Sequence, residues 1–101
     1  DPLIQSYTES LKALLGPRLK ELWLFGSRAR GDYREDSDYD ILVVADAERK
    51  EIEETIDPEN GRMLEQFFKL FSCIVYTPEI WASAAHGPLG MNVRAQGLRL
   101  V

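Results

Sequence analysis

Apolar residues recur at Leu3, Ile4, Tyr7, Leu11, Leu14 and Leu15. That three-and-four spacing predicts an amphipathic helix, and Gly16-Pro17 ends it. From Leu19 to Phe25 the chain becomes continuously apolar and aromatic towards its end, which predicts a buried strand stopped by Gly26. Residues 27 to 37 are polar and rich in Arg, Asp and Gly, as expected of a loop or a short helical turn followed by a loop. Tyr39 to Ala45 is a second apolar run, rich in β-branched residues, and reads as a second buried strand.

The segment from Ala47 to Ile56 is charged, with Ile52 and Ile56 repeating on one face, and reads as a solvated helix. Asp57-Pro58-Glu59-Asn60-Gly61 has the composition of a turn and predicts a break. Leu64, Phe67, Phe68 and Phe71 then suggest another helix, and Ser72 to Tyr76 a third strand. Thr77 and Pro78 suit the cap and first position of a short helix. Pro88 to Gln96 reads as a last helix ended by Gly97, with Leu98 to Val101 free to pair as an edge strand. Helices alternate with two or three buried strands, so the expected class is α/β or α+β, a small sheet covered by helices.

Composition narrows the function. The chain has 101 residues, enough for one domain over residues 1–101. No apolar run reaches the roughly 20 residues needed to cross a bilayer, and no basic, apolar, small-residue leader is visible. Cys73 is the only cysteine, which leaves no internal disulfide and agrees with a reducing, cytoplasmic setting. In its hydrophobic run it reads as a small core residue. The formal net charge of −5 argues against a general nucleic-acid binder.

Against that acidic background one stretch gathers cations and glycines. Gly26-Ser27-Arg28-Ala29-Arg30-Gly31 follows the first strand, and Ser37-Asp38-Tyr39-Asp40 opens the second. Gly26 permits a sharp turn and close approach of a ligand to the backbone. Ser27 brings a hydroxyl and a backbone N–H at the start of a helical turn, where N–H groups favour anions. Arg28, Arg30 and Arg34 carry forked donors suited to phosphate. Asp38 and Asp40 are two apart at a strand start, so both point to one face. Two carboxylates that close repel unless a cation lies between them. Oxygen ligands that leave room for phosphate oxygens suit Mg²⁺. The residues therefore point to nucleotidyl transfer, in which an acceptor oxygen attacks the α-phosphate of a nucleoside triphosphate and pyrophosphate leaves. Arg30-Gly31-Asp32 spells an adhesion tripeptide by chance, Trp23 and Trp81 read as packing residues, and His86 as an exposed loop residue.

In these motifs the chain resembles the minimal nucleotidyltransferases of the DNA polymerase β superfamily, the antitoxin-type proteins paired with HEPN-domain partners in prokaryotes. The resemblance runs through both motifs, then Val75-Tyr76-Thr77-Pro78-Glu79 and Gly97-Leu98-Arg99-Leu100, essentially the whole chain. It implies a two-layer nucleotidyltransferase fold with a small mixed sheet. It implies that Gly26 and Ser27 hold the β- and γ-phosphates, with Arg28 and Arg30 beside them, and that Asp38 and Asp40 are the catalytic, Mg²⁺-binding carboxylates. It further implies ATP as donor, with AMP passed to a tyrosine of a HEPN-type RNase toxin that is thereby silenced. The superfamily usually carries a third carboxylate on the later strand, and here Ser72 falls at that place; Glu65 is the nearest upstream acid, in a predicted helix. A serine is a poor metal ligand and a poor base, and loss of a general base costs about 10²–10⁴ in rate. The alternative is thus a weakened nucleotide- and metal-binding module that neutralises its partner by contact. A third reading is transfer to a small molecule or RNA. It is disfavoured because small-molecule enzymes of the superfamily usually carry an additional helical domain, for which 101 residues leave no room, and because no basic surface is evident. The acceptor must come from outside, and an open sheet edge suits either a homo-oligomer or a hetero-complex.

Overall fold

The computed structural model describes all residues from Asp1 to Val101. Helix α1 spans Pro2–Leu15, and a 3-10 turn at Gly16–Arg18 leads into strand β1, Leu19–Phe25. A single helical turn, α2, occupies Ser27–Arg30, and strand β2 runs over Tyr39–Ala45. Helix α3 covers Arg49–Phe67, strand β3 Phe71–Tyr76, helices α4 and α5 Pro78–Ala84 and Pro88–Gln96, and strand β4 Leu98–Arg99. No helix is long and apolar enough to cross a membrane.

The strands form one mixed sheet in the order β3-β2-β1-β4. β1 pairs antiparallel with β2 and β4, whereas β2 and β3 run parallel. Alternation along the strands sorts the core into two faces. Leu22, Leu24, Tyr39, Ile41, Val43, Ala45, Phe71 and Val75 pack against α1 and α3 in a 16-residue cluster. This sheet-and-helix pair is the two-layer core. Leu42 and Val44 face the other way and join Trp81, Ala85 and Val93 of α4 and α5 in a smaller cluster.

Both central strands occupy the bounds expected from their apolar runs. α1 buries Ile4, Tyr7, Leu11 and Leu15, while Leu14, expected on the same face, is largely exposed. The Thr77 side chain accepts the Ile80 N–H with Pro78 in the first turn, as its cap role requires. Trp81 is buried beneath Tyr76. Trp23 is half-buried, its Nε1–H donating to Glu21 Oε1 at 2.9 Å. His86 is exposed.

The expected break at Asp57–Gly61 does not occur: α3 continues through Pro58 for 19 residues. A proline inside a helix costs about 3 kcal/mol in isolation. Here Pro58 lies on the exposed side, where the carbonyl left without a partner meets water, while Ile52, Ile56 and Met63 are buried on the other. Asn60, read as part of the turn, instead accepts a hydrogen bond from the buried Tyr7 hydroxyl at 2.6 Å and holds the two helices together. The tertiary contacts thus override the local turn signal. The helix ends later, at Phe68, which adopts a left-handed φ of 55° and is 85% exposed. Phe71 is not helical; it opens β3 and stacks between Tyr7 and Tyr39, at centroid distances of 4.2 and 4.5 Å. Cys73 is half-buried beneath the Tyr7 hydroxyl, 3.2 Å away, and burial pushes its thiol pKa up.

Candidate active site

β1 and β2 are joined by a long polar segment, and both predicted motifs lie where it enters and leaves the sheet. The strands bring the two ends together, because Phe25 pairs with Asp40. Gly26 sits one residue beyond that pair with φ 72° and ψ −157°, a region that essentially only glycine occupies. A Cβ at Gly26 would overlap the Asp40 carboxylate. The glycine is therefore required twice, by its backbone angles and by the side chain it faces.

The Gly26 carbonyl accepts from both the Ala29 and Arg30 N–H groups at 3.1 Å, so the N–H groups of Ser27 and Arg28 precede the first intrahelical bonds. Gly31 closes the turn in the left-handed conformation, φ 89°, its N–H bonded to the Ser27 carbonyl at 2.9 Å. Ser27 thus stands at the start of a rigid turn beside Asp40.

Asp40 shares the sheet face of Leu42 and Val44, the end of that face at Asp40 is open, and Asp38 stands just before the strand, near enough for its charge to be felt at Asp40. Asp38 is exposed and Asp40 half-buried. Partial burial raises the Asp40 carboxyl above the ordinary carboxylate range, the neighbouring Asp38 raises it further, and Arg30 opposes both. A half-buried carboxylate penalised by a like charge is a group that a cation would relieve. That fits a divalent cation held by the oxygens of Asp38 and Asp40.

The parallel register sets Ser72 directly beside Asp40, where the resemblance places a third acid. Ser72 is exposed, and no group of three His, Cys, Asp or Glu side chains stands ready to hold a metal. Glu65 lies on the exposed side of α3 and does not replace it.

The arginines divide. Arg30 is exposed and lightly paired with Asp32 at 3.4 Å, and its charge is felt at Asp40. Arg34 is exposed in the loop. Arg28 is already engaged: it donates to the carbonyls of Glu35 and Ser37 at 2.9 and 3.0 Å and lies over the rings of both Tyr33 and Tyr39. Sequence reasoning missed this packing; the paired tyrosines flanking the loop were its only trace. A surface cavity of about 520 Å³ between the N-terminus of α1 and the end of α3, lined by Leu3, Tyr39, Phe67 and Lys69, contains none of the predicted site residues.

Known proteins share the sequence pattern and the fold. The family model for the nucleotidyltransferase domain matches residues 4–82. A candidate protein adenylyltransferase of Methanocaldococcus jannaschii is 33% identical over 94 residues, covering 93% of this chain and 90% of that protein. A second from the same organism is 40% identical over 42 residues, 42% of each chain. Among solved structures, a candidate nucleotidyltransferase from Sulfolobus solfataricus superposes with a TM-score of 0.54 at 27% identity, over 97% of this chain and 76% of that one. A toxin–antitoxin complex with AMP-PNP shares the fold, with a TM-score of 0.60 at 22% identity over 96% of this chain and 72% of that one. The matched residues include both motifs and all three strands of the site, and the chain belongs to the nucleotidyltransferase-domain family.

Proposed function

We propose that the chain is a Mg²⁺-dependent adenylyltransferase that moves AMP from ATP to a hydroxyl of a partner protein, and that this partner is a helical, HEPN-type RNase toxin which the modification neutralises. The observation that carries the reading is the meeting of Gly26 and Asp40, which sets a glycine turn suited to phosphate against a carboxylate suited to a metal. The M. jannaschii relative, named for protein adenylylation and similar along nearly the whole chain, supports a protein acceptor. The toxin–antitoxin neighbour with AMP-PNP supports ATP and a toxin partner.

In this reading Gly26, Ser27 and Arg30 receive the terminal phosphates, and Asp38 and Asp40 hold Mg²⁺. The metal, when bound, neutralises charge on the triphosphate and aligns it for in-line attack. The acceptor hydroxyl oxygen bonds to the α-phosphorus as its proton passes to water, the bond from the α-phosphorus to the α–β bridging oxygen breaks, and pyrophosphate leaves with that electron pair. The open end of the sheet face beside Ser72 admits the acceptor. Incubation with ATP labelled at the α-phosphate, Mg²⁺ and a HEPN-type toxin from the same genome is expected to label that toxin, whereas γ-labelled ATP leaves it unlabelled. No label from any nucleoside triphosphate would overturn the reading.

Ser72 beside Asp40 favours a second reading, neutralisation by contact alone. Replacing Asp38 and Asp40 by Asn separates the two: it abolishes neutralisation if transfer is the means and preserves it if contact is.

A further inference from the structure

We infer that Arg28 is a positioning residue that clamps the loop carrying Asp38, not a ligand of the nucleotide phosphates. The inference rests on the nucleotidyltransferase reading of the site and deepens it. Arg28 Nη2 donates to the carbonyls of Glu35 at 2.9 Å and Ser37 at 3.0 Å, and Nε donates to Ser37 at 3.2 Å. The guanidinium lies 4.5 Å from the centroid of Tyr33 and 4.3 Å from that of Tyr39. Nε and Nη2 are committed to the loop carbonyls by three N–H···O contacts and only Nη1 is left free, so a phosphate could not be gripped by two of its nitrogens without displacing the loop.

The choice of carbonyl matters. The Ser37 carbonyl and the Asp38 N–H belong to one planar peptide unit. By gripping that oxygen from two nitrogens, Arg28 fixes the plane from which Asp38 departs. The loop's one other anchor towards the sheet is Lys69, whose Nζ donates to the Glu35 carbonyl and to Glu35 Oε1. Gly31, Asp32, Tyr33, Arg34, Glu35 and Asp36 are all exposed, so no buried apolar side chain holds it. Its remaining ties are local: the Ser37 hydroxyl accepts from the Arg34 N–H at 2.8 Å, and the Ser37 N–H donates to the Arg34 carbonyl at 3.0 Å. The other jaw of the clamp is rigid. Tyr39 is buried, stacks on Phe71 and donates its hydroxyl to Asp1 Oδ2 at 2.7 Å. Asp40, held within β2, needs no such help; Asp38, before the strand, does.

Arg28→Lys and Tyr33→Leu test the assignment. Lysine keeps the charge but loses the fork and the stack, and Tyr33 is no phosphate ligand. In the ligand-free protein, exchange of the Arg34 and Ser37 amides, which are hydrogen-bonded within the loop, is expected to quicken by about tenfold in Arg28→Lys, the loss of roughly one charge-assisted bond. Tyr33→Leu should quicken it less, and exchange in β1 and β2 should stay unchanged in both. In ATP titrations, both variants should need several-fold more Mg²⁺ for half-maximal binding yet approach the wild-type affinity once Mg²⁺ is saturating. Unchanged loop exchange in Arg28→Lys would overturn the clamp. So would loss of ATP binding in Arg28→Lys at every Mg²⁺ concentration while Tyr33→Leu binds normally, since that is the behaviour of a phosphate ligand. If the wild-type protein fails to bind ATP, the nucleotidyltransferase reading falls, and the exchange measurement still decides the clamp.

Discussion

Strand β2 turns Tyr39, Ile41, Val43 and Ala45 to one side and Asp40, Leu42 and Val44 to the other. The first side is no more than 3% exposed anywhere and is sealed by α1 and α3. The second is apolar only where α4 and α5 reach it, and ends in a half-buried carboxylate beside an exposed serine. One face holds the sheet rigid, and the other spends that rigidity on keeping two carboxylates close against their mutual repulsion.

Four substitutions probe that division, the largest effect first. Ile41→Ala, on the sealed face, is expected to cost about 3–4 kcal/mol in chemical denaturation, as fully buried aliphatic truncations do. Gly26→Ala, on the open face, forces a side chain into a glycine-only region and into Asp40. It should cost about 2–3 kcal/mol and remove Mg²⁺-ATP binding in a titration; an alanine variant that binds normally would break the link between the turn and the carboxylate. Ser72→Asp adds an acid beside Asp40 at an exposed position. If proton abstraction limits the transfer, its rate onto the partner should rise by up to about 10², with tighter Mg²⁺ binding and little change in denaturation midpoint.

The smallest effect concerns Asp40 itself. Its folded pKa is raised above the ordinary 3.8 by burial first and by Asp38 second. Ionised Asp40 therefore opposes folding at neutral pH, and this penalty fades as pH falls from the raised value to below the ordinary one. Asp40→Asn should melt higher than wild type at pH 7, by less than about 4 °C because solvent screens a half-exposed group. The difference should vanish in acid, and Mg²⁺ with ATP should reverse it by stabilising only the wild type. A melting temperature that drops at pH 7 would show that Asp40 serves the fold.

The two faces also differ in how far they are legible in sequence. Leu19–Phe25 and Tyr39–Ala45 stand out because unbroken apolar runs end at a glycine or a polar loop, and the Asp-x-Asp spacing keeps the two carboxylates near each other. α3 was misleading because Pro58 and Gly61 carry a strong local turn signal, whereas the burial of Ile56 and Met63 and the Tyr7–Asn60 bond that overrule it come from residues distant in sequence. Phe71 fits a helical spacing after Leu64 and Phe67, yet its place is set by stacking with Tyr7 and Tyr39, which no local pattern reveals. Arg28 reads as a phosphate ligand in a list of cations; only the folded loop puts carbonyls and rings around it.

The most direct test is a calorimetric titration of ATP into the wild-type protein and into the Asp38→Asn, Asp40→Asn double variant, each with and without Mg²⁺. The account predicts binding to the wild type that requires Mg²⁺, and a loss of at least about tenfold in the double variant, more than 1.4 kcal/mol of binding energy, without a fall in melting temperature. A double variant that binds Mg²⁺-ATP as tightly as the wild type would contradict it.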